Sequence, residues 1–212
     1  TLLFNDLNSG KRKFSQLDEV KSIFDWIDLT IEFGEDKCLE TDFNTQCALI
    51  ANGKVAMIHQ GTWAEGAIRG INPDADLGFM LVSASNDPEK AGLMVDSNIT
   101  YRVCKQSKNS KAALQWLEWL TTSEYGKRFI PEKTGQISTV KGAPFPKAQL
   151  AEDTVRYMKN SRTYPWLKGY WPDGCEMQLP TVLQSYAAKS KTKKRVLSEW
   201  DQIWLKCVKA SQ

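Results

Sequence analysis

Residues 41–70 limit the possible fold most strongly, because a helical pattern, an apolar run and a second helical pattern follow one another there. The stretch TDFNTQCALIANG predicts a helix ending at Gly53, and KVAMIHQ (54–60) predicts a strand. The stretch GTWAEGAIRG (61–70) predicts the start of a second helix. Alternation of this kind is typical of an α/β sheet, so we predict an α/β fold.

The rest of the chain predicts more of both kinds of element. Helices are predicted to begin at five stretches: SQLDEV, SKNSKA, KAQLAE, MQLPTV and TKKRVL. The first of these helices is predicted to be capped by Ser15 and to end at Gly34. The last is predicted to be capped by Thr192. Strands are predicted at TLLFND (1–6), LGFMLV (77–82) and ITYRVCK (99–105). The stretch YPWLKGYWPDGCE (164–176) predicts a long irregular loop.

Size and charge exclude some classes of partner. A chain of 212 residues forms one large domain or two small ones. The formal net charge is +3, which is too small to indicate binding to nucleic acid or to a charged membrane surface. Five dispersed cysteines show no metal-binding spacing, and we interpret most of them as small buried hydrophobic residues rather than as a disulfide framework.

One acidic stretch looks at first like the start of a calcium loop. Asn72, Asp74 and Asp76 alternate along the chain as early ligands of such a loop do. However, Leu77 stands where an EF-hand needs glycine, and Ser83 stands where it needs the bidentate glutamate. A capped turn is the better interpretation, and we predict no metal and no cofactor.

Motifs for hydrolysis and phosphate binding are missing from the sequence. No nucleophile elbow and no glycine-rich phosphate loop occurs. His59, the one histidine, falls inside a predicted strand, which favours a structural role over a catalytic one. The basic run KSKTKKR (189–195) is interpreted as a solvated helix entry rather than as an anion site.

Aromatic residues remain as the main candidates for function. Residues 164–176 contain four aromatic side chains together with Asp173 and Glu176. Aromatic faces beside carboxylates are suited to sugars, because the apolar face of the ring stacks while carboxylates accept hydrogen bonds from hydroxyls. Trp166 is better interpreted as a core residue, whereas for Trp171 a core role and a ligand role stay equally open. For Trp63, which follows the predicted strand, a core role and a ligand role are likewise both open.

Two stretches resemble a known family. FNTQCALIANGKVAMIHQGTW (43–63) resembles the segment of family 1 extracellular solute-binding proteins in which a helix leads into G-K-x-A-M, a strand and G-x-W. SKNSKAALQWLEWLTTSEYGKRFI (107–130), followed by EKTGQIS (132–138), is similar to a later stretch of that family. The resemblance extends from about position 3 to about position 205, and the order of the two motifs agrees.

The resemblance implies a periplasmic-binding-protein-like class II fold with two α/β lobes. Residues 1–83 would form the first part of the C-terminal lobe, 84–136 an excursion into the N-terminal lobe, and 137–212 the return to the C-terminal lobe. Family members carry a long further segment upstream, so we expect this chain to be a C-terminal fragment that lacks most of the N-terminal lobe. Such a fragment would oligomerise or bind ligand poorly, since the apolar face at Trp116, Leu117 and Leu120 would lose its cover.

The family also implies a function. The chain would be the non-enzymatic substrate-capture component of an ABC importer, located outside the cytoplasm, either periplasmic or lipid-anchored, with membrane permease subunits as partners. The ligand would be a carbohydrate, and an oligosaccharide rather than a monosaccharide, because several aromatic residues suit several rings. Trp63 matches the G-x-W tryptophan that stacks on a sugar in the interlobe cleft, where Gly61 would let the backbone turn sharply. The resemblance implies weaker candidates for ligand contact at Trp171, Asp173, Glu176, Asn98 and Gln136.

A carbohydrate-active enzyme is the alternative. A glycoside hydrolase needs two carboxylates on opposite sides of the bond that it cleaves. Asp173 and Glu176 are the only pair we nominate, and because they share one loop, opposed positions are less expected.

Overall fold

The computed structural model describes residues 2–81, 87–97, 100–160 and 162–211, and these residues are mostly helical. A two-stranded parallel sheet pairs β1 (Leu93–Met94) with β2 (Thr163–Tyr164). The α-helices of the described residues are α1 (Leu2–Asn8), α2 (Asp18–Phe33), α3 (Phe43–Ala51), α4 (Ala64–Ile71), α5 (Ser110–Thr122), α6 (Glu124–Thr134), α7 (Gln149–Lys159), α8 (Cys175–Ala187) and α9 (Lys193–Ala210). Short 3-10 turns occur at Phe14–Gln16, Pro88–Lys90 and Leu167–Tyr170.

The chain divides into two compact units. The first unit comprises Thr1–Asp42, Ser83–Lys90 and Trp166–Gln212, and the second comprises Phe43–Val82 and Ala91–Pro165. Each unit has its own cluster of buried apolar side chains.

The core of the first unit forms around α9. Phe24 of α2 and Trp204 of α9 are almost completely inaccessible, and α8 packs along α9. Asp201 fixes the chain before α2 to α9, because its carboxylate accepts the Phe14 backbone N–H at 2.7 Å and the Ser15 hydroxyl at 2.8 Å. Ser15 therefore binds Asp201 instead of capping α2, so the predicted cap was wrong.

The core of the second unit forms between α3, α4 and α7. Because α3 and α4 lie close together, small and branched side chains fill this core: Cys47, Ala51, Ala64, Ile68, Leu77 and Leu150.

The acidic turn after α4 belongs to this unit. Asn72 Oδ1 accepts the Asp74 backbone N–H at 3.2 Å, and Asp76 Oδ1 accepts the Gln149 side-chain amide at 2.7 Å. The capped-turn interpretation of this stretch is thus confirmed.

The helix predictions agree with the structure better than the strand predictions. TLLFND (1–6) was predicted as a strand, but its described residues 2–6 belong to α1, which buries Phe4 and Leu7 three positions apart on one helical face. None of the described residues in 54–60, 77–81 or 100–105 forms a strand. His59 is accordingly an exposed residue of an irregular segment and not a strand residue.

These strand predictions failed because apolar and β-branched runs form strands only where a partner strand supplies hydrogen bonds. Within the described ranges the only ladder is the one between β1 and β2. The combination of many helices with a short parallel pair remains compatible with the expected α/β class.

Candidate functional site

Trp63 lies in the second unit, immediately before α4, and 42% of its side chain is exposed. Its indole N–H donates a hydrogen bond to Gln60 Oε1 at 2.9 Å, which fixes the plane of the ring. Gly61 does have a specific role, although its backbone is not left-handed as a sharp glycine turn would require. A Cβ at position 61 would overlap the Trp63 ring, so glycine gives the indole its space.

Gln136 lies beside the Trp63 segment. The Thr62 hydroxyl donates to Gln136 Oε1 at 2.9 Å, although 74 positions separate the two residues in the chain. Gly135 makes this approach possible, because it ends α6 in the left-handed conformation with φ of 66°. In the part of the chain that the structure describes, no group accepts a hydrogen bond from the Gln136 side-chain nitrogen. This amide is therefore available as a donor to a ligand.

The helix that follows Trp63 is held by a buried carboxylate. Glu65 Oε1 accepts the Gln149 backbone N–H and the Arg69 Nε–H, each at 2.9 Å, while Oε2 accepts the Leu150 backbone N–H at 2.9 Å. Burial by itself would raise the pKa of Glu65, but these hydrogen bonds and the Arg69 charge keep that pKa below its usual value. Glu65 thus joins α4 to the start of α7 and supports the segment that carries Trp63.

Trp171 lies in the first unit, where it borders a cavity of about 540 Å³. This cavity is a shallow groove that is largely open to solvent. The lining combines aromatic, amide and hydroxyl side chains with apolar and glycine backbone surface: Asn5, Asn8, Ser9, Gly169, Tyr170, Trp171, Pro172, Val208 and Ser211. Such a mixture suits a ligand that presents both an apolar face and hydroxyl groups.

The aromatic wall of this cavity is anchored in the core. The Trp171 ring contacts Trp204 edge to face at 6.3 Å, and Tyr170 stacks on Phe4 with ring centres 5.3 Å apart. Trp204 also donates its indole N–H to Asn8 Oδ1 at 2.9 Å, so the orientation of the Asn8 amide is fixed. Trp171 therefore packs on the core and also borders the cavity, and its role as a ligand contact stays a prediction.

The two nominated carboxylates lie outside this cavity. Asp173 is exposed, and Glu176, in the first turn of α8, forms an ion pair with Lys168. Neither side chain belongs to the cavity lining. Asn98, the remaining predicted contact, lies outside the described residues.

Asn5, Asn8 and Ser9 were missed by the sequence interpretation. They lie within or directly after α1, which had been predicted as a strand. Their spacing of three and four positions places them on one face of a helix, and this spacing is the signal that could have found them.

The described residues contain neither a metal-binding cluster nor a membrane-spanning helix. Among the residues placed by the structure, no three potential metal ligands come together. In the same residues, no helix has the length and apolar character needed to cross a membrane.

The basic run at 189–195 is engaged in ion pairs. Lys191 and Arg195 both contact Glu199, at 2.6 and 2.7 Å, and Lys193 contacts Asp25 at 3.2 Å. These pairs leave the run as a charged helix entry, as its sequence indicates.

Comparison with known proteins identifies the family. The model of the bacterial extracellular solute-binding protein family matches residues 2–157, which is most of the chain. A search of curated proteins found no match. The matched region contains Trp63 and Gln136. On the strength of this match, the chain belongs to the family of bacterial extracellular solute-binding proteins.

Proposed function

We propose that this protein captures a carbohydrate outside the cytoplasm and delivers it to the permease of an ABC importer. The family match supports the substrate-capturing role. The observation that carries the choice of a carbohydrate is the half-exposed indole of Trp63, which is held by the Gln60 amide and follows Thr62, the residue that binds Gln136. An aromatic face beside amide groups stacks on a sugar ring and exchanges hydrogen bonds with its hydroxyls.

An oligosaccharide fits this proposal better than a single sugar. Several exposed aromatic residues suit several sugar rings. We further propose the lobe assignment that the family resemblance implies, with 1–83 and 137–212 in the C-terminal lobe and 84–136 in the N-terminal lobe. Ligand capture would then proceed by hinge closure of the lobes, and the closed form would bind the permease. Outside the cytoplasm, the protein would be either free in the periplasm or anchored by a lipid to the outer face of the cell membrane.

The enzyme alternative has little support in the geometry. A retaining or inverting glycosidase places its two carboxyl groups about 5–10 Å apart on opposite sides of the bond. Asp173 and Glu176 are three positions apart on the surface, and Glu176 is paired with Lys168. Binding without cleavage is therefore the expected behaviour.

Calorimetric titration against a ligand panel tests the proposal. The panel contains neutral mono- and oligosaccharides, with amino acids and short peptides as comparison ligands of another class. We expect an oligosaccharide to bind and to be recovered uncleaved. Binding of an amino acid or peptide in the absence of any sugar binding would refute the carbohydrate proposal, and release of shorter sugars would establish the enzyme alternative.

Variants of two tryptophans locate the site. Trp63→Ala is expected to weaken oligosaccharide binding roughly tenfold to a hundredfold, which corresponds to about 1.4–2.8 kcal/mol for an aromatic contact. Trp26→Ala is the matched control, since this tryptophan of α2 is similarly exposed, at 38%. Equal affinities of the two variants would remove Trp63 from the site.

We also propose that the chain self-associates through α5 and α6. The predicted apolar face needs correction, because Leu120 is buried and Leu117 is half-buried. The exposed face is instead aromatic and consists of Trp116, Trp119, Tyr125 and Phe129, with Trp119 and Tyr125 stacked at 5.7 Å. Sedimentation velocity should show association that increases with concentration and decreases in Tyr125→Ser. A monomer over the whole concentration range would refute this association.

A further inference from the structure

Two cysteines meet inside the first unit. Cys175 is the first residue of α8, and Cys207 lies in the last turn of α9, the helix on which α8 packs. Both side chains are almost completely inaccessible, at 0% and 4% exposure. The packing of α8 on α9 therefore brings together two thiols that are distant in the sequence.

Several contacts show how close the two residues lie. The Gln178 side-chain amide donates both to the Gly174 carbonyl at 3.2 Å and to Cys207 Sγ at 3.6 Å. A Cβ built at Gly174, the neighbour of Cys175, would lie 4.0 Å from Cys207 Sγ. Burial, together with a hydrogen bond from one thiol to the other, raises the pKa of Cys175 to about 12. Cys207 Sγ thus lies beside the start of α8, where Cys175 is located, and both thiols are free in the structure.

This environment is unsuited to the other common roles of cysteine. A buried thiol with a raised pKa holds little thiolate, which is the reactive and metal-binding form. The described residues bring no three potential metal ligands together, here or elsewhere. By contrast, paired cysteines in proteins outside the cytoplasm form and keep disulfides, because those compartments are oxidising.

We propose that Cys175 and Cys207 form a disulfide bond that joins the start of α8 to the end of α9. The proposal rests on the extracytoplasmic location that belongs to the proposed function. It revises the sequence interpretation, in which most of the five cysteines were small buried hydrophobic residues rather than a disulfide framework.

The chemistry requires an oxidant of the disulfide class, such as oxidised glutathione or a thiol–disulfide oxidoreductase. The two thiols lose two protons and two electrons, and one S–S bond forms between them at about 2.05 Å. The disulfide of the oxidant accepts both electrons and both protons, its S–S bond breaks, and two thiols are released. Because the folded thiols are buried, the exchange takes place while the chain folds and the sulfurs are still accessible to the oxidant.

Refolding in a glutathione redox buffer, followed by trypsin digestion without reduction, tests the bond. Cleavage after Lys168, Lys189, Lys206 and Lys209 places Cys175 in peptide 169–189 and Cys207 in peptide 207–209. The expected product is these two peptides joined, with a mass lower by two hydrogen atoms than their sum. Alkylated Cys175 after denaturation without reductant, or a peptide that joins Cys175 to Cys38 or Cys104, would overturn the proposal.

Thermal unfolding gives an independent measurement. The bond closes a loop of about thirty residues, so reduction should lower the Tm by roughly 5–10 °C. A double Cys175→Ala and Cys207→Ala variant should be insensitive to the reductant. Cys47→Ala is the control: this thiol is equally buried and its pKa is raised by burial alone, so its variant should keep the full response to reductant.

The same experiments separate this inference from the proposed function. Refolding with glutathione tests the pairing of the cysteines wherever the protein is located. Cell fractionation reports the location independently of the cysteines, and a cytoplasmic location would refute the export proposal. The refolding experiment would still show whether Cys175 and Cys207 form a disulfide.

Discussion

Glu65 gives the sharpest test of how the second unit is held together. Its carboxylate accepts two backbone N–H groups from the first turn of α7 and one N–H from Arg69, and its side chain is 7% exposed. In Glu65→Gln, one oxygen is replaced by an NH₂ group, which cannot accept a hydrogen bond and faces a donor. The variant therefore loses one backbone hydrogen bond and the charge opposite Arg69.

The expected cost follows from these losses. A hydrogen bond to a charged group contributes about 1.5–3 kcal/mol, and a negative charge at a helix N-terminus adds roughly 0.3–1 kcal/mol. Glu65→Gln should lower the free energy of unfolding by about 2–4 kcal/mol. Urea denaturation followed by circular dichroism measures this change, and amide hydrogen exchange should show faster exchange at Gln149 and Leu150. The matched control is Glu152→Gln. Glu152 is exposed and lies in the first turn of α7, as Gln149 and Leu150 do, so the expected change in the free energy of unfolding is below about 0.5 kcal/mol.

The same carboxylate makes stability depend on pH. The folded-state pKa of Glu65 lies below the usual value of 4.5, so the unfolded chain binds a proton more readily than the folded chain. Its contribution is complete above about pH 5.5 and is lost as the pH falls through the folded-state pKa. The difference between the wild type and Glu65→Gln should accordingly decrease from pH 6 towards pH 3. A pH-independent difference, or a cost below about 0.5 kcal/mol, would refute the role assigned to Glu65.

Three further substitutions test individual features of the fold by the urea midpoint. Phe24→Ala should lower the free energy of unfolding by about 3–5 kcal/mol, because the ring is completely buried in the first unit. A decrease under about 1 kcal/mol would contradict that packing. Ser123→Ala should cost about 1 kcal/mol, because its hydroxyl accepts the Gly126 N–H at 3.0 Å at the start of α6; an unchanged midpoint would mean that the cap contributes nothing. Gly174→Ala should cost roughly 1–2 kcal/mol, because its φ is 84°, and a stabilised variant would show that this conformation is not strained for other residues.

The helices could be predicted from the sequence because their signals are local. Thr192 was predicted to cap the last helix, and its side chain does accept the Arg195 N–H, at 3.3 Å. Gly34 was predicted to end α2 and is its C-cap residue. Caps and helical spacing depend only on residues within one or two turns, so the chain itself contains the information.

The strands and half of the candidate site depend on residues far apart in the chain. The run KVAMIHQ has strand-like residues, but a strand also needs a neighbour, and sequence periodicity says nothing of where that neighbour is. Likewise, Trp171 could be nominated from its loop. The spacing of Asn8 could indicate a shared helical face but not a cavity wall, because that wall exists only once α1 packs against α9. The contact between Thr62 and Gln136 was not predicted either, although both residues lie in motifs that the sequence singled out.

The two tryptophan surfaces carry unequal weight as ligand sites. The family match covers residues 2–157, so it includes Trp63 and Gln136 but ends before Trp171. Trp63 is also the less constrained ring, since its indole is bound by a neighbouring side chain, whereas Trp171 is packed against Trp204 in the core. Replacement of Trp171 would therefore disturb stability together with any binding, while replacement of Trp63 changes an exposed surface. Loss of affinity in Trp63→Ala without a change in Tm is for this reason the more decisive sign of a ligand contact.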